Sequence, residues 1–282
     1  MAYVAARSLD EAFAALGAEG AIVVAGGTDV FPAHAGKPAP SRILDITRID
    51  EMRGIEASAA GWRIGGATRW SEIIAADLPP AFDGLKAAAR EVGSIQIQNA
   101  GTIAGNLCNA SPAADGAPPL LTLDAAVEIA SANERRTVPL ADFITGPRRT
   151  GLKPGELVTA ILAPPQPTGA RSAFLKLGAR KHLVISIAMT AVLIWPDAAG
   201  RVGGARVSVG ACGPVARRLG ELEAALRGRA FSDLAEPGLI APGHLAPLAP
   251  INDIRGGAGY RLDAAATLIR RALLEAAGAR HG

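Results

Sequence analysis

The sequence predicts an α+β fold in which two α/β parts are followed by an antiparallel sheet with helices. Short β-branched runs alternate with helical periods in the first part of the chain. The segment APPQPTG at residues 163–169 then carries three prolines and indicates a stiff linker, because proline extends neither a helix nor a central ladder. We therefore expect a first domain over residues 1–167, with subdomains of about 1–55 and 56–167, and a second over 168–282.

The composition is that of a folded protein with an aliphatic core. Of its 282 residues, 49% are hydrophobic and 20% charged, but only 4% are aromatic. The net charge is +3 and the arginines come in separated pairs, so the sequence gives no indication of a nucleic-acid partner. Cys108 and Cys212 are too few and too distant for a disulfide framework or a cysteine-rich metal site in this chain. With no apolar run of membrane-spanning length, we expect a cytoplasmic protein without a membrane span.

The individual elements follow from local patterns. Ser8 and Glu11 form a capping-box pattern that predicts a helix through Leu16. Residues 21–25, AIVVA, predict a strand that stops at a glycine pair. The other predicted elements are strands at 42–46, 62–67 and 157–162, hairpins of 126–130 with 136–140 and of 186–195 with 202–211, and helices at 68–73 capped by Thr68, 80–92 stopped by Gly93, 120–123, 218–226 and 260–276.

Two glycine-rich segments concentrate the chemistry. In AGGTD, residues 25–29, consecutive turn amides are expected to form an anion-binding nest. Residues 99–124 contain Gly101 and Gly105, which let a ligand approach the backbone, among several hydroxyl and amide side chains. Neither segment has the Rossmann spacing, and no Walker-type motif occurs. The segments predict a nucleotide site, and a surface loop with structural caps is the alternative.

Six segments, in order, resemble the FAD-binding medium subunit of the molybdenum hydroxylase family, which includes xanthine dehydrogenases and aerobic carbon monoxide dehydrogenases. They are VAGGTDVFP, ILDITRI, VGSIQIQNAGTIAGNLCNASPAADGAPPLLTLDA, FITGPRRTGLKPGELVTAI, FLKLGARK and DIRGGAGYRLDAAATLIRRAL. The resemblance covers nearly the whole chain. It implies a two-part FAD-binding domain of the PCMH type, followed by the C-terminal domain of the medium subunit.

The resemblance also implies which residues hold FAD. Its first loop is matched by Ala25, Gly26, Gly27, Thr28 and Asp29, and its second by Thr102, Ile103, Ala104, Gly105 and Asn106. Asp115 is expected to hydrogen-bond a sugar hydroxyl of FAD. Lys176, Ile185 and, as an apolar contact, Val158 are expected near the isoalloxazine ring. No residue of this chain is expected to be catalytic or to bind a metal.

Several positions depart from the family pattern. Ala104 replaces the first of two glycines in the second loop, so its methyl group must point away from the pyrophosphate or the loop must lie further out. A usual proline and two arginines are replaced by Ile95, Gln98 and Ala100, and Val184 stands where aspartate is common.

On this resemblance the chain does not oxidise the substrate. A large molybdenum subunit with a molybdopterin cofactor is expected to do so, a small subunit with two [2Fe–2S] clusters to relay the electrons, and FAD here to pass them to NAD or another acceptor. A heterotrimer or a dimer of heterotrimers is expected. Two cysteines exclude a [4Fe–4S] cluster within this chain.

Two alternatives remain open. One is a non-catalytic assembly or scaffold protein of the same fold that has lost FAD. The other, a standalone flavin oxidase, is disfavoured because neither a histidine nor a cysteine stands where a covalent flavin link is expected. No histidine has a partner at metal-ligand spacing, so surface or loop positions are expected for all four, which are His34, His182, His244 and His281.

Overall fold

A computed structural model describes residues 2–17, 21–38, 40–181 and 184–278. His182 and His281 lie outside these residues. The strands are β1 (Ala2–Ala5), β2 (Ala21–Val24), β3 (Arg42–Asp45), β4 (Ile55–Ser58), β5 (Gly61–Gly65), β6 (Ala126–Ala130), β7 (Arg135–Pro139), β8 (Ile144–Gly146), β9 (Arg149–Thr150), β10 (Leu157–Ala163), β11 (Arg171–Leu177), β12 (Ala188–Pro196), β13 (Val202–Gly210) and β14 (Arg217–Arg218). The helices are α1 (Leu9–Leu16), α2 (Val30–Ala33), α3 (Trp70–Ala75), α4 (Asp83–Glu91), α5 (Ile95–Ala100), α6 (Ile103–Asn109), α7 (Ala117–Thr122), α8 (Leu140–Phe143), α9 (Gly220–Leu226) and α10 (Ala258–Ala276).

The first sheet is parallel, with strand order β1-β3-β2, and α1 contacts its central strand. The predicted cap of α1 is present, because the Oγ of Ser8 accepts a hydrogen bond from the Glu11 amide at 3.2 Å. The Glu11 carboxylate reaches back to the amide of Arg7 at 2.8 Å, however, and not to that of Ser8. Strand β2 ends at Val24, and the AGGTD segment follows directly at its carboxyl end.

The second sheet is antiparallel, with strand order β4-β5-β10-β6-β7. Its central strand β10 is buried almost throughout, which its apolar sequence LVTAILA explains. The predicted β6–β7 hairpin is confirmed. Helices α3 to α7 follow β5 in the chain, and large buried side chains such as Trp70, Phe82 and Leu107 form one core with this sheet.

The third sheet is antiparallel, with strand order β11-β12-β13-β14, and the predicted β12–β13 hairpin is confirmed. Helix α10 lies against β11 and β12 and buries Leu268, Ile269 and Leu273 on one face. Helix α4 also contacts β11, where the Gly84 amide donates to the Oγ of Ser172 at 2.8 Å. The predicted α+β class is therefore confirmed, with mixed helix and sheet and an antiparallel C-terminal sheet.

Two local predictions are wrong. Thr68 does not cap a helix, because its hydroxyl donates to the Gly54 carbonyl at 3.0 Å and α3 begins only at Trp70. Residues 103–109 are not a loop but helix α6, because Thr102 caps it and its apolar side chains Ile103 and Leu107 are fully buried. Burial of that apolar face outweighs the low helix propensity of Gly105 and the asparagines.

Candidate functional site

The first glycine-rich segment lies at the carboxyl end of β2. Gly26 packs against the end of α5, where a Cβ on Gly26 would overlap the carbonyl of Ala100. Gly27 has a φ of +68°, in the left-handed region that favours glycine, and the ring of Phe31 covers its Cα. Each glycine is therefore required for a different reason, the first for close packing and the second for its backbone angle.

The turn leaves a row of backbone donors open. Within the described part of the chain, none of the amides of Gly26, Gly27, Thr28, Asp29 and Val30 donates a hydrogen bond, and the first amide of the turn that does so is that of Phe31, to Gly27 O at 3.1 Å. Consecutive unpaired amides of this kind form a concave anion-binding site. The first segment can therefore bind an anionic group through its backbone alone.

In the second segment, Thr102–Asn106, the backbone amides after Thr102 already donate hydrogen bonds to other parts of the protein or to Thr102. The Ile103 amide donates to Thr68 O at 3.0 Å and the Ala104 amide to Gly66 O at 3.1 Å, while the Gly105 amide donates to the Oγ1 of Thr102 at 3.2 Å. What this segment offers a ligand is side chains. The Oδ1 of Asn106 is buried and accepts no hydrogen bond from any described residue, so it is open to a donor from a ligand.

The two segments face each other. A Cβ on Gly105 would lie 4.0 Å from the Cβ of Ala25, so the absence of a side chain at Gly105 keeps the space between them open. The methyl group of Ala104 lies on the core side, because a Cβ on Gly66 would be 3.1 Å from it. The orientation of this methyl group relative to the pyrophosphate stays a prediction.

A cavity of about 380 Å³ lies between the two segments. Its walls are mostly apolar, and the fully buried Trp70 forms part of them. The indole of Trp70 is held close to two glycines, since a Cβ on Gly116 would lie 2.6 Å from Cη2 and one on Gly101 would lie 3.4 Å from Cδ1. The other apolar lining residues are Val23, Val30, Ile46, Val92, Ile97, Leu152, Leu157 and Val158.

The structure brings ten of the fourteen predicted cofactor-binding residues to this cavity. They are Ala25, Gly26, Gly27, Thr28, Asp29, Thr102, Ala104, Gly105, Asn106 and Val158. Ile103 lies behind it, fully buried in the core. Asp115, Lys176 and Ile185 do not line it.

Asp115 and Lys176 instead contact each other. The Nζ of Lys176 lies 2.7 Å from the Oδ2 of Asp115, and the Ser186 hydroxyl donates to its Oδ1 at 3.0 Å. The side chain of Asp115 is 9% exposed and that of Lys176 is 6% exposed. Burial raises the pKa of Asp115, although Lys176 and Ser186 favour its charged form. The expected contact between Asp115 and FAD stays a prediction, and in this structure both oxygens of the carboxylate are engaged by protein.

Ile185 lies on a second cavity of about 360 Å³, and half of its surface is exposed. Ser111, Pro112 and Ala113 line this second cavity, whereas Cys108 and Asn109 line the first. The last residues of α6 therefore line the first cavity, and the residues that follow α6 line the second.

The first cavity carries negative but no positive side-chain charge. Among its described lining residues, Asp29 and Glu156 are charged, and none is lysine or arginine. Arg136 forms two hydrogen bonds with the Glu156 carboxylate, at 2.8 and 2.7 Å. Arg136 thereby lowers the pKa of Glu156 to about 2, so that Glu156 is charged in its folded state. No sequence pattern singles out Glu156, which lies directly before β10 and reaches the wall through the packing of that strand.

The cysteines and histidines do not form a reactive centre in the described ranges. Cys108 lies on the cavity wall and its side chain is exposed. His34 contacts the Val30 carbonyl and His244 the Ala241 amide, both within four residues in the chain. No group of three or more potential metal ligands occurs among the described residues.

The residues present fit a dinucleotide. The open amides match an anionic pyrophosphate, the orphaned Oδ1 of Asn106 matches a hydroxyl or amine donor, and the apolar walls match flat rings. The fold and the chemistry of the cavity are together those of a nucleotide-binding protein of the α+β class.

Comparison with known proteins identifies the family. Residues 1–166 match the family described as the FAD binding domain in molybdopterin dehydrogenase, and residues 173–276 match the CO dehydrogenase flavoprotein C-terminal domain. The chain is 33% identical to the putative xanthine dehydrogenase FAD-binding subunit of Escherichia coli K12, over 92% of this chain and 90% of the relative. It is 32% identical to the carbon monoxide dehydrogenase medium chain of Hydrogenophaga pseudoflava, over 96% and 95%.

The fold agrees with this relationship. The structure superimposes on a chain of reconstituted CO dehydrogenase from Oligotropha carboxidovorans with a TM-score of 0.90 at 28% identity, covering 99% of this chain and 98% of the other. This chain belongs to the FAD-binding medium subunits of the molybdenum hydroxylase family, the flavoprotein subunits of xanthine and CO dehydrogenase-type oxidoreductases. The predicted family and its FAD-binding domain are confirmed.

Proposed function

We propose that this chain holds FAD between the AGGTD turn and the start of α6, collects electrons there from the [2Fe–2S] clusters of a small partner subunit, and delivers them to NAD or another acceptor. The observation that carries the proposal is the row of open amides from Gly26 to Val30 at the mouth of an apolar cavity. Backbone amides are fixed in place before the ligand arrives, so little side-chain entropy is lost on binding.

Each part of the cradle has a role in the proposal. The amides of the turn bind the pyrophosphate oxygens, and Thr102 and Asn106 bind polar groups of the cofactor. Trp70 and Val158 contact its apolar parts and exclude water. Bound FAD supplies the chemistry that joins one-electron donors to a two-electron acceptor. The chain itself supplies binding, orientation and the electrostatic surroundings.

The proposed assembly contains a small iron–sulfur subunit and a large molybdenum subunit, as a heterotrimer or a dimer of heterotrimers. Its support is that matching relatives are named as the medium chain of a CO dehydrogenase and as the medium subunit of a nicotine 6-hydroxylase. A cytoplasmic location is part of the same proposal. Among the helices of the described residues, none has the length and hydropathy needed to cross a membrane.

Expression of the chain with and without its partners tests the proposal. The purified protein should be yellow, with the absorbance of oxidised flavin and about one FAD per chain, and the complex should contain iron and molybdenum. A colourless protein that FAD does not reconstitute would contradict the proposal and favour the scaffold alternative, which the open cradle does not support. A yellow chain that never associates with iron–sulfur or molybdenum subunits would instead contradict the assembly.

A further inference from the structure

The described lining residues of the FAD cavity provide no positive side-chain charge to balance the negative charge of FAD. Asp29 and Glu156 are the charged side chains among the described residues of the wall, and both are negative. The pyrophosphate of FAD brings further negative charge. Asp29 is exposed to solvent, but the side chain of Glu156 is only 8% exposed, so water screens its charge poorly.

The countercharge for Glu156 comes from outside the cavity. Arg136 on β7 is not a lining residue, yet its guanidinium binds both carboxylate oxygens of Glu156. The Nη2 of Arg136 also donates to the Gly151 carbonyl at 2.8 Å, and the Lys153 amide donates to Glu156 at 2.7 Å. The wall segment that carries Leu152, Glu156 and Leu157 is therefore tied to the β6–β7 hairpin by one side chain.

We propose that Arg136 is a positioning residue of the FAD site, which acts through Glu156 by cancelling the negative charge of the cavity wall. This inference rests on the proposed function, since it concerns the affinity for FAD. A carboxylate that is paired with a bidentate guanidinium contributes little net electric field at the distance of the pyrophosphate. An unpaired carboxylate in the same poorly hydrated place repels the pyrophosphate.

The surroundings of Glu156 allow this effect to be isolated. The charged groups that act on the pair are Arg136 and Lys153 on Glu156, and Glu134 on Arg136. Without Arg136, the Glu156 carboxylate keeps the hydrogen bond from the Lys153 amide at 2.7 Å but loses both hydrogen bonds from the guanidinium.

The test measures the dissociation constant of FAD by titration of the flavin-depleted chain at pH 8, for wild type, R136M, E156Q and R136M/E156Q. We expect R136M to bind FAD about tenfold more weakly, a change typical of one unpaired charge near an anionic ligand in a poorly hydrated site. We expect E156Q to bind at least as tightly as wild type, and the double variant to bind within about threefold of wild type.

R135M is the matched control, because Arg135 is adjacent on β7 and pairs only at 3.7 Å with the exposed Glu51. It removes the same net charge and should bind FAD within about threefold of wild type. Circular dichroism of each variant shows whether it is folded. A folded R136M that binds like wild type overturns the inference, and so does a double variant as weak as R136M, which would show that Arg136 acts only by holding the wall. Failure of wild type to bind FAD would overturn the proposed function itself.

Discussion

The Nζ of Lys176 lies 2.7 Å from the Oδ2 of Asp115, and this ion pair joins strand β11 of the third sheet to the segment between α6 and α7. Removal of one partner leaves the other charge buried. We therefore expect Asp115→Ala to lower the free energy of unfolding by about 3–5 kcal/mol and to weaken FAD binding. Chemical denaturation and FAD titration measure the two effects.

Glu56→Ala is a suitable control for Asp115→Ala, because Glu56 is an exposed carboxylate on β4. Lys176→Met separates the two roles of Asp115. If Asp115 acts on FAD directly, Lys176→Met should retain more FAD affinity than Asp115→Ala at equal stability. An Asp115→Ala protein with wild-type stability and affinity would count against both the ion pair and the expected contact.

Gly26→Ala should disrupt the cradle. Its Cβ would overlap the carbonyl of Ala100, so either the turn or the end of α5 must shift. We expect a loss of more than about 2 kcal/mol of stability and of at least tenfold in FAD affinity, roughly as for other overpacked sites. Gly243→Ala is the control, because nothing lies within 4 Å of a Cβ there. Wild-type FAD affinity in Gly26→Ala would mean that the turn adapts without cost.

Ala104→Gly should leave FAD binding intact or tighten it slightly. The methyl group of Ala104 faces Gly66 and the core, so its removal opens no space towards the amides of the turn. Its position inside α6 predicts a loss of about 1 kcal/mol of stability, because glycine is a poor helix former. Titration and thermal unfolding together check this. A large gain in affinity would show that the methyl group does obstruct the cofactor.

Trp70 should report FAD binding by its fluorescence. Its indole forms part of the cavity wall, while the other two tryptophans, Trp62 and Trp195, do not line this cavity. We expect FAD to quench the emission of the flavin-depleted protein, and Trp70→Phe to lose most of that quenching while still binding FAD within about threefold. If Trp70→Phe is quenched as strongly as wild type, the indole does not face the cofactor.

Asp253 should make stability depend on acid pH. Hydrogen bonds from the Arg255 amide and from the side chains of Arg261 and Arg255 lower its pKa to about 2 from 3.8. Because the folded-state value lies below the unfolded one, the stabilisation is complete above about pH 4 and is lost as pH falls towards 2. Asp253→Asn should therefore unfold at a lower temperature than wild type at pH 7, and the difference should shrink towards pH 2. Asp77→Asn serves for comparison, because Asp77 is exposed and its carboxylate contacts no hydrogen-bond donor among the described residues.

The first glycine segment could be predicted because its structure depends on residues that are neighbours in the sequence. Gly26 and Gly27 follow a β-branched strand, and a turn with open amides follows from that order alone. Helix α6 could not be predicted in this way, because Gly105, Asn106 and Asn109 are poor helix formers and the helix depends on burial of Ile103 and Leu107. The same is true of the cavity wall around Glu156, which exists only once β10 is placed beside β5 and β6.

The prediction for Asp115 and Lys176 shows a different limit. Family resemblance points to individual positions, and it predicts a ligand contact for each of them. It carries no information about which of those side chains contact one another. The strand β11 that presents Lys176 was itself missing from the predicted elements, so the pairing of Lys176 with Asp115 could not be seen in the sequence.

The two glycine segments differ in the state of their backbone amides. The amides of Ile103, Ala104, Gly105 and Asn106 already donate to Thr68, Gly66 and Thr102. On the proposed function, the turn from Gly26 to Val30 gains backbone hydrogen bonds when FAD binds. Amide hydrogen exchange should therefore slow in that turn and stay constant in α6.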